Sequence, residues 1–316
     1  MIQPAITGLG TYLPETRMTA ADIAAASGLP EWVVTDKLGI REKRVPGKDD
    51  HTNAMGVWAA EQALEDAGVS AGDVDVLISI NEEHKDYPVW TSGIKLAYDL
   101  GAHRAWAYDI GQKCGTSVLA LKQARDLLIA DPSVNTVLIA GGYRNCDLID
   151  YTDPNVRFLY NLAAGGAAMV VQRASEGHQI LHSAFRTDGA FSLDVIVPVG
   201  GTRTPLSPEN LGDYRLTVPD PAGMKDRLDA KSMANFVGVV QDAIQRSDAS
   251  VDHIAHVAML HMKRSAHDYV LQTLGIPQER SIYLRDYGHM GQVDQVLSMQ
   301  LAQAEGRLKP GALAVL

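Results

Sequence analysis

Strand-like and helix-like runs follow one another in the same order twice along this chain, and that repetition constrains the fold more than any single residue. Glu61 to Ser79 reads as helix, turn and buried strand, and Gln241 to Met259 repeats the pattern. The repeat implies an internal duplication of about 150 residues per half, an ordinary domain size. In the first half Ala5–Tyr12 is expected as a strand and Thr19 to Ala26 as a capped helix. Asn53–Ala67 follows as an amphipathic helix that Gly68 stops, and Val74–Ile80 as a buried strand. A helix over Thr91–Leu100, a strand over Ala105–Ile110, a helix over Ser117–Ala130 and strands over Asn135–Ala140 and Gly165–Gln172 continue the series.

The second half offers helices over Met233–Ser247, Ala266–Leu274 and Val293–Glu305, with strands over Ile254–Leu260, Arg280–Leu284 and Ala312–Leu316. Such alternation predicts an α/β fold with a mostly parallel, helix-covered sheet. Three regions result: 1–183, a loop-rich connection over 184–231 abundant in Gly, Pro, Thr and Asp, and 232–316. In the first half Asn135–Ala140 is followed by the partner strand Gly166–Val171, whereas the second half reaches Leu316 with no partner for its last strand. A truncated final hairpin is the simpler expectation, because an unpaired strand leaves an exposed edge.

Composition narrows the function. A formal charge of −10 from 28 basic and 38 acidic residues, with no basic block, argues against a nucleic-acid partner. Two cysteines make neither a disulfide framework nor a metal cluster and fit a reducing cytoplasm. The N-terminus has no charged region followed by an apolar one, and no apolar stretch approaches about 18 residues, so neither secretion nor a membrane span is expected. Gly8-Leu9-Gly10 and Gly141-Gly142 do not complete a dinucleotide-binding loop, and no phosphate-binding loop is present.

Cys114 lies where a short apolar strand enters a Gly-flanked turn and then a helix. A thiol there sits near unpaired backbone N–H groups and the positive end of a helix dipole, which favour the thiolate. Packing alone is the competing role for a lone Cys. Two distant histidines, His261 at the end of a strand-like run and His289 in Tyr287-Gly288-His289, fit nucleophilic catalysis. His84, His103, His182, His253 and His256 have no metal-site spacing, and Cys146 has no partner signal.

Taken in order, Gly8 to Pro14, Glu31-Trp32-Val33-Val34-Thr35, Gly39-Ile40-Arg41-Glu42, the Asp109 to Cys114 turn, His261, Tyr287-Gly288-His289 and Leu308 to Leu313 resemble the thiolase superfamily. The resemblance runs over the whole chain and is to the β-ketoacyl-ACP synthase III branch. It implies a duplicated five-layered α-β-α-β-α fold and a cytoplasmic homodimer with no permanently bound cofactor. Acyl-CoA or phosphopantetheine thioesters on a carrier protein would be its substrates. On this resemblance Cys114 is the acyl-accepting nucleophile, His261 the first histidine of a Cys-His-Asn set, and His289 stands where the family has Asn. Two neutral imidazoles donating N–H would serve the enolate oxyanion formed when a malonyl thioester loses CO2. The family's final Gly-rich turn, a further oxyanion donor worth about 3 kcal/mol, is not in the sequence.

The chain also departs from the family. Met262-Lys263-Arg264 replaces the usual Gln-Ala-Asn after the histidine, and Asp294 follows His289 by five residues. A Cys114-His289-Asp294 arrangement suits proton removal from an alcohol or amine, and so acyl transfer without carbon–carbon bond formation; the alternative for Asp294 is a helix N-terminal carboxylate. Trp32 matches the tryptophan that packs on the adenine of coenzyme A, or is a hydrophobic staple. Lys263 and Arg264 meet either a phosphopantetheine phosphate and an acidic carrier protein, or solvent. Lys113 adjoins the thiol and would favour its ionisation. The loop Glu82 to Trp90, with Tyr87, occupies the position of the acyl-pocket and dimer loop, and its four charged side chains point to a polar acyl group or to a solvated loop. Condensation is the leading expectation, with acyl transfer on the same fold second and a silent carrier-protein-binding subunit third.

Overall fold

A computed structural model describes residues 3–174, 176–309 and 311–316. The chain opens with β1 (Pro4–Tyr12), a short β2 (Arg17–Thr19) and α1 (Ala20–Ser27). Thr19 caps α1 by accepting the Asp22 N–H, while the Asp22 carboxylate accepts the Thr19 N–H, a reciprocal pair that fixes where the helix begins. Then come β3 (Glu42–Arg44), α2 (Thr52–Ala67), β4 (Val76–Ser79), α3 (Ser92–Asp99), β5 (Trp106–Asp109), α4 (Thr116–Ala130), β6 (Thr136–Tyr143) and β7 (Gly165–Arg173). After β8 (His178–Gln179) the second half supplies α5 (Pro221–Arg246), β9 (Ile254–Val257), α6 (Arg264–Leu274), α7 (Asp294–Ala304) and β10 (Leu313–Val315).

Six strands form one sheet in the order β5-β4-β6-β7-β1-β8. The β5, β4 and β6 strands run parallel, and β7 and β1 are antiparallel to their neighbours. Side-chain alternation sorts the strands onto two faces. Leu77, Leu138, Ala140, Ala168 and Val170 meet α2 and α3 on one face. Val76, Ile78, Val137, Ile139, Met169 and Val171 meet α4 and α7 on the other. Beyond α4 and α7 lies the parallel pair β9–β10, with Ala312, Ala314 and Leu316 turned toward that helical layer and Ile254, Val257, Leu313 and Val315 packed on α5 and α6. The five expected layers are therefore present, with the two layers of sheet very unequal in width. Helix α2 lies directly on β1: a Cβ at Gly10 would come within 2.0 Å of the Ala59 carbonyl oxygen, so only glycine permits that approach.

Two boundaries differ from the sequence expectation. Helix α5 begins at Pro221, so residues 221–231 belong to a helix and not to the loop-rich connection. Asp220 caps it by accepting the Gly223 N–H, and Pro221 stands at the first turn, where a missing N–H costs nothing. Arg280–Leu284 makes one parallel bridge, Ser281 to Val257, and no regular strand. There the side chains replace the ladder: the Ser281 hydroxyl donates to the Val257 carbonyl at 2.7 Å and Arg280 to that of Ile254 at 2.9 Å.

Candidate active site

The strand β5 ends at Asp109, and the chain makes a short 3-10 turn over Lys113–Gly115 before α4. Thr116 closes the turn, accepting the Gln112 N–H at 2.8 Å and donating its hydroxyl to the Lys113 carbonyl at 2.6 Å. Lys113 adopts a left-handed φ of 51°, a conformation costly for a side-chain-bearing residue and one that this clamp maintains. Cys114 is thereby presented half-exposed at the amino end of α4. The Lys113 ammonium does not serve the thiol: it is largely exposed and donates to Glu83 at 2.6 Å.

His289 faces Cys114, with its Nε2 3.1 Å from the sulfur. Its backbone is held in a strand-like bridge with Leu162, donating N–H to the Asn161 carbonyl at 2.7 Å and accepting the Ala163 N–H at 2.8 Å. The preceding Gly288 has φ 78°, and a Cβ there would lie 2.7 Å from the Asn161 oxygen and from the Lys43 side chain. Lys43, itself fully buried, donates to the Tyr160 and Leu162 carbonyls at 2.8 and 2.6 Å and so braces the segment that positions His289. Burial with no paired carboxylate pulls its ammonium down to about 8.

Behind His289 is Asp294, fully buried as the first residue of α7. Its Oδ2 accepts from His289 Nδ1 at 2.6 Å and from the His261 backbone N–H at 2.8 Å, and its Oδ1 accepts the Met290 N–H at 2.7 Å. Helix-terminal placement and an orienting contact with His289 coincide in this one carboxylate. Burial opposes a charge on His289, but the Cys114 sulfur and the Asp294 carboxylate outweigh it and hold the imidazole well above its ordinary value. Cys114, His289 and Asp294 form a continuous relay.

His261 is placed differently. Its Nε2 lies 3.1 Å from the Gly39 carbonyl, which can only accept, and its Nδ1 lies 2.9 Å from the Asn161 amide nitrogen. Both ring nitrogens are thus engaged with protein partners, and the ring stacks on Tyr283 at 5.2 Å. Burial lowers its pKa to about 4, so the ring is neutral. His289 faces the sulfur, whereas His261 has both ring nitrogens on protein partners and meets Asp294 through its backbone N–H.

The outer candidates are spread over the surface. Trp32 is 56% exposed at the start of the turn Val33–Leu38. Lys263 is exposed just before α6, while Arg264 pairs with Asp268 at 2.7 Å and lies over the Tyr283 ring. Tyr87 is 66% exposed, edge-on to Trp90. Two contributors escape a reading of the sequence. Asn161 carries no motif signal, and Glu82, inside a charged run that reads as solvated, is only 6% exposed.

Known proteins share this fold. Residues 108–189 match the family described as 3-oxoacyl-[acyl-carrier-protein] synthase III, and residues 244–316 match its C-terminal part. The chain is a β-ketoacyl-ACP synthase III-like member of the thiolase superfamily. It is 29% identical to a β-ketoacyl-[acyl-carrier-protein] synthase III of Symbiobacterium thermophilum over 98% of this chain and 92% of that protein. With the synonymous protein of Roseiflexus castenholzii it shares 29% over 99% and 93%. Among solved structures, the synthase III of Thermus thermophilus superposes with TM-score 0.83 at 25% identity, covering 98% of this chain and 93% of that one. The Aquifex aeolicus synthase III shares the fold with TM-score 0.82 at 20% identity, covering 98% and 94%.

Proposed function

We propose that this chain is a condensing acyltransferase that loads an acyl group from a CoA or carrier-protein thioester onto Cys114 and joins it to a malonyl-type thioester with loss of CO2. The observation that carries the reading is the 3.1 Å contact between Cys114 and His289, in a chain aligned almost end to end with β-ketoacyl-ACP synthases III. The Cys114 sulfur attacks the thioester carbonyl, and the departing thiolate takes the proton that His289 holds. Decarboxylation of the extender then gives an enolate whose carbon attacks the Cys114 thioester and expels the sulfur. Asp294 behind the ring favours a proton on His289 whenever an anion stands before Nε2, whether thiolate or enolate oxygen. His261 acts here as a positioning residue through its N–H on Asp294.

Asp294 itself favours a second reading, transfer from Cys114 to an alcohol or amine. An Nδ1–H directed at the carboxylate leaves Nε2 of the neutral ring as a lone pair, the form suited to a general base. The named relatives weigh for condensation, and CO2 release separates the two reactions. A silent subunit would have no need of an assembled relay.

A homodimer belongs to the same proposal. The strand β5 is an edge of the sheet, its Trp106 is exposed, and Ile94 and Tyr98 are exposed on α3, which packs against it. Trp32, Lys263 and Arg264 lie at the surface where coenzyme A or a carrier protein would approach, and we assign them that contact. Among the described residues no helix is long and apolar enough to cross a membrane, and a cytoplasmic location accords with the two free thiols.

A further inference from the structure

Resting on the reading that Cys114 becomes acylated, we propose that Glu82 and Asn145 form a hydrogen-bond-accepting wall of the acyl site. That wall selects an acyl group carrying its own donor, a hydroxyl or amide N–H close to the thioester carbon. Glu82 follows β4 at the carboxyl edge of the parallel strands, the edge from which β5 leads to Cys114 and β6 to Asn145. Its Oε2 accepts from the Asn145 amide at 3.1 Å, while its Oε1 and the Asn145 Oδ1 are both buried without a partner among the described residues. An unpartnered buried polar atom costs on the order of 1–3 kcal/mol, so two acceptors side by side are unusual unless something else supplies donors.

The wall is close to the reacting groups. Glu83, the next residue, reaches the ammonium of Lys113, which precedes Cys114. Burial raises the Glu82 carboxyl above its ordinary value, and the Lys113 ammonium opposes that shift. The wall is also rigid: the Asn81 Oδ1 accepts the Gly142 N–H at 2.6 Å, and Asp109 accepts the Ser92 and Gly93 N–H groups as well as the Lys85 ammonium.

Three nearby donors are already committed, while the Asn81 Nδ2 is buried without a partner among the described residues. The Lys113 ammonium serves Glu83, the Gln292 amide serves the Ile80 and Gly142 carbonyls, and the Gln295 amide serves the Cys114 carbonyl at 3.3 Å. A donor carried by the substrate would satisfy the two acceptors directly. A plain alkyl chain would bury both acceptors permanently, whereas a hydroxylated or amide-bearing chain satisfies them.

The test is the initial rate at which Cys114 gains acyl mass from butyryl-, 2-hydroxybutyryl- and 3-hydroxybutyryl-CoA, for the wild type, Glu82→Gln and Glu82→Ala. The wild type should favour one hydroxylated chain over butyryl by about tenfold or more, the discrimination of one buried hydrogen bond. Glu82→Gln keeps its carbonyl on the Asn145 amide and turns an NH2 toward the chain, replacing acceptor by donor. That preference should vanish in Glu82→Gln and in Glu82→Ala. Equal rates for the three thioesters in the wild type, or a preference that survives both substitutions, would overturn the inference and leave the condensing reading intact. No acyl mass from any thioester would overturn both.

Discussion

The Oδ2 oxygen of Asp294 lies 2.6 Å from Nδ1 of His289, so the proton between them belongs to the imidazole, and Nε2 is the nitrogen left to face the Cys114 sulfur. An Asp294→Asn substitution preserves shape but removes the anion and offers a donor where His289 needs an acceptor. Turnover should fall by about a thousandfold, and alkylation of Cys114 by iodoacetamide at neutral pH should slow with it. Turnover within a factor of a few of wild type would detach Asp294 from the chemistry.

Replacing His289 by Asn distinguishes its two roles. A carboxamide can donate a hydrogen bond to an enolate oxygen but cannot accept a proton from an alcohol. If condensation is the reaction, His289→Asn should retain measurable CO2 release from a malonyl thioester with acyl-Cys114 preformed. Complete loss of that decarboxylation, with wild-type transfer to an alcohol equally abolished, would move the assignment to the acyltransferase.

Gly288→Ala should destabilise the protein by about 2–3 kcal/mol, because the residue holds φ 78° and its new methyl would press on the Asn161 carbonyl and the Lys43 side chain. Chemical denaturation reads the loss directly. An unchanged denaturation midpoint would mean that the His289 segment yields easily, which its bridge to Leu162 opposes.

Burial lowers His178 as well, but the four histidines with the larger shifts dominate the pH response. His256, His261 and His267 are buried and lowered to about 4, with burial the chief cause. Below about pH 6.5 the unfolded chain binds protons at these positions that the folded chain does not, so stability falls with falling pH by about 1.4 kcal/mol per unit for each. His289, raised in the fold, contributes stability that is complete below about pH 6.5 and is lost as pH climbs toward its raised value. Urea unfolding across pH 5 to 8 should therefore show greatest stability near pH 6.5, and His267→Leu should flatten the acid limb by about a third. A flat profile over pH 5 to 6.5 would show that these rings are not held neutral.

Much of this arrangement is legible before any coordinates. Apolar period and Gly or Thr caps place α1, α2, α4 and β6 to within a few residues, since those signals are local. The start of α5 is hidden because Pro221 and Gly223 read as breakers, although Pro is favoured in a first helical turn. The five-residue separation of His289 and Asp294 is visible in the sequence, but which imidazole faces Cys114 is decided by tertiary contacts: Gly39 and Asn161 engage His261 across more than 99 residues of chain. The burial of Glu82 is equally invisible, because composition cannot distinguish one carboxylate folded inward from neighbours left in water.

The most direct test of the account is the intact mass of the protein and of Cys114→Ala after incubation with acyl-CoAs, followed by malonyl-carrier protein and measurement of CO2. The account predicts one acyl increment on the wild type, none on Cys114→Ala, and CO2 release coupled to discharge of that increment. An unmodified wild type, an increment that persists in Cys114→Ala, or discharge without CO2 would contradict it.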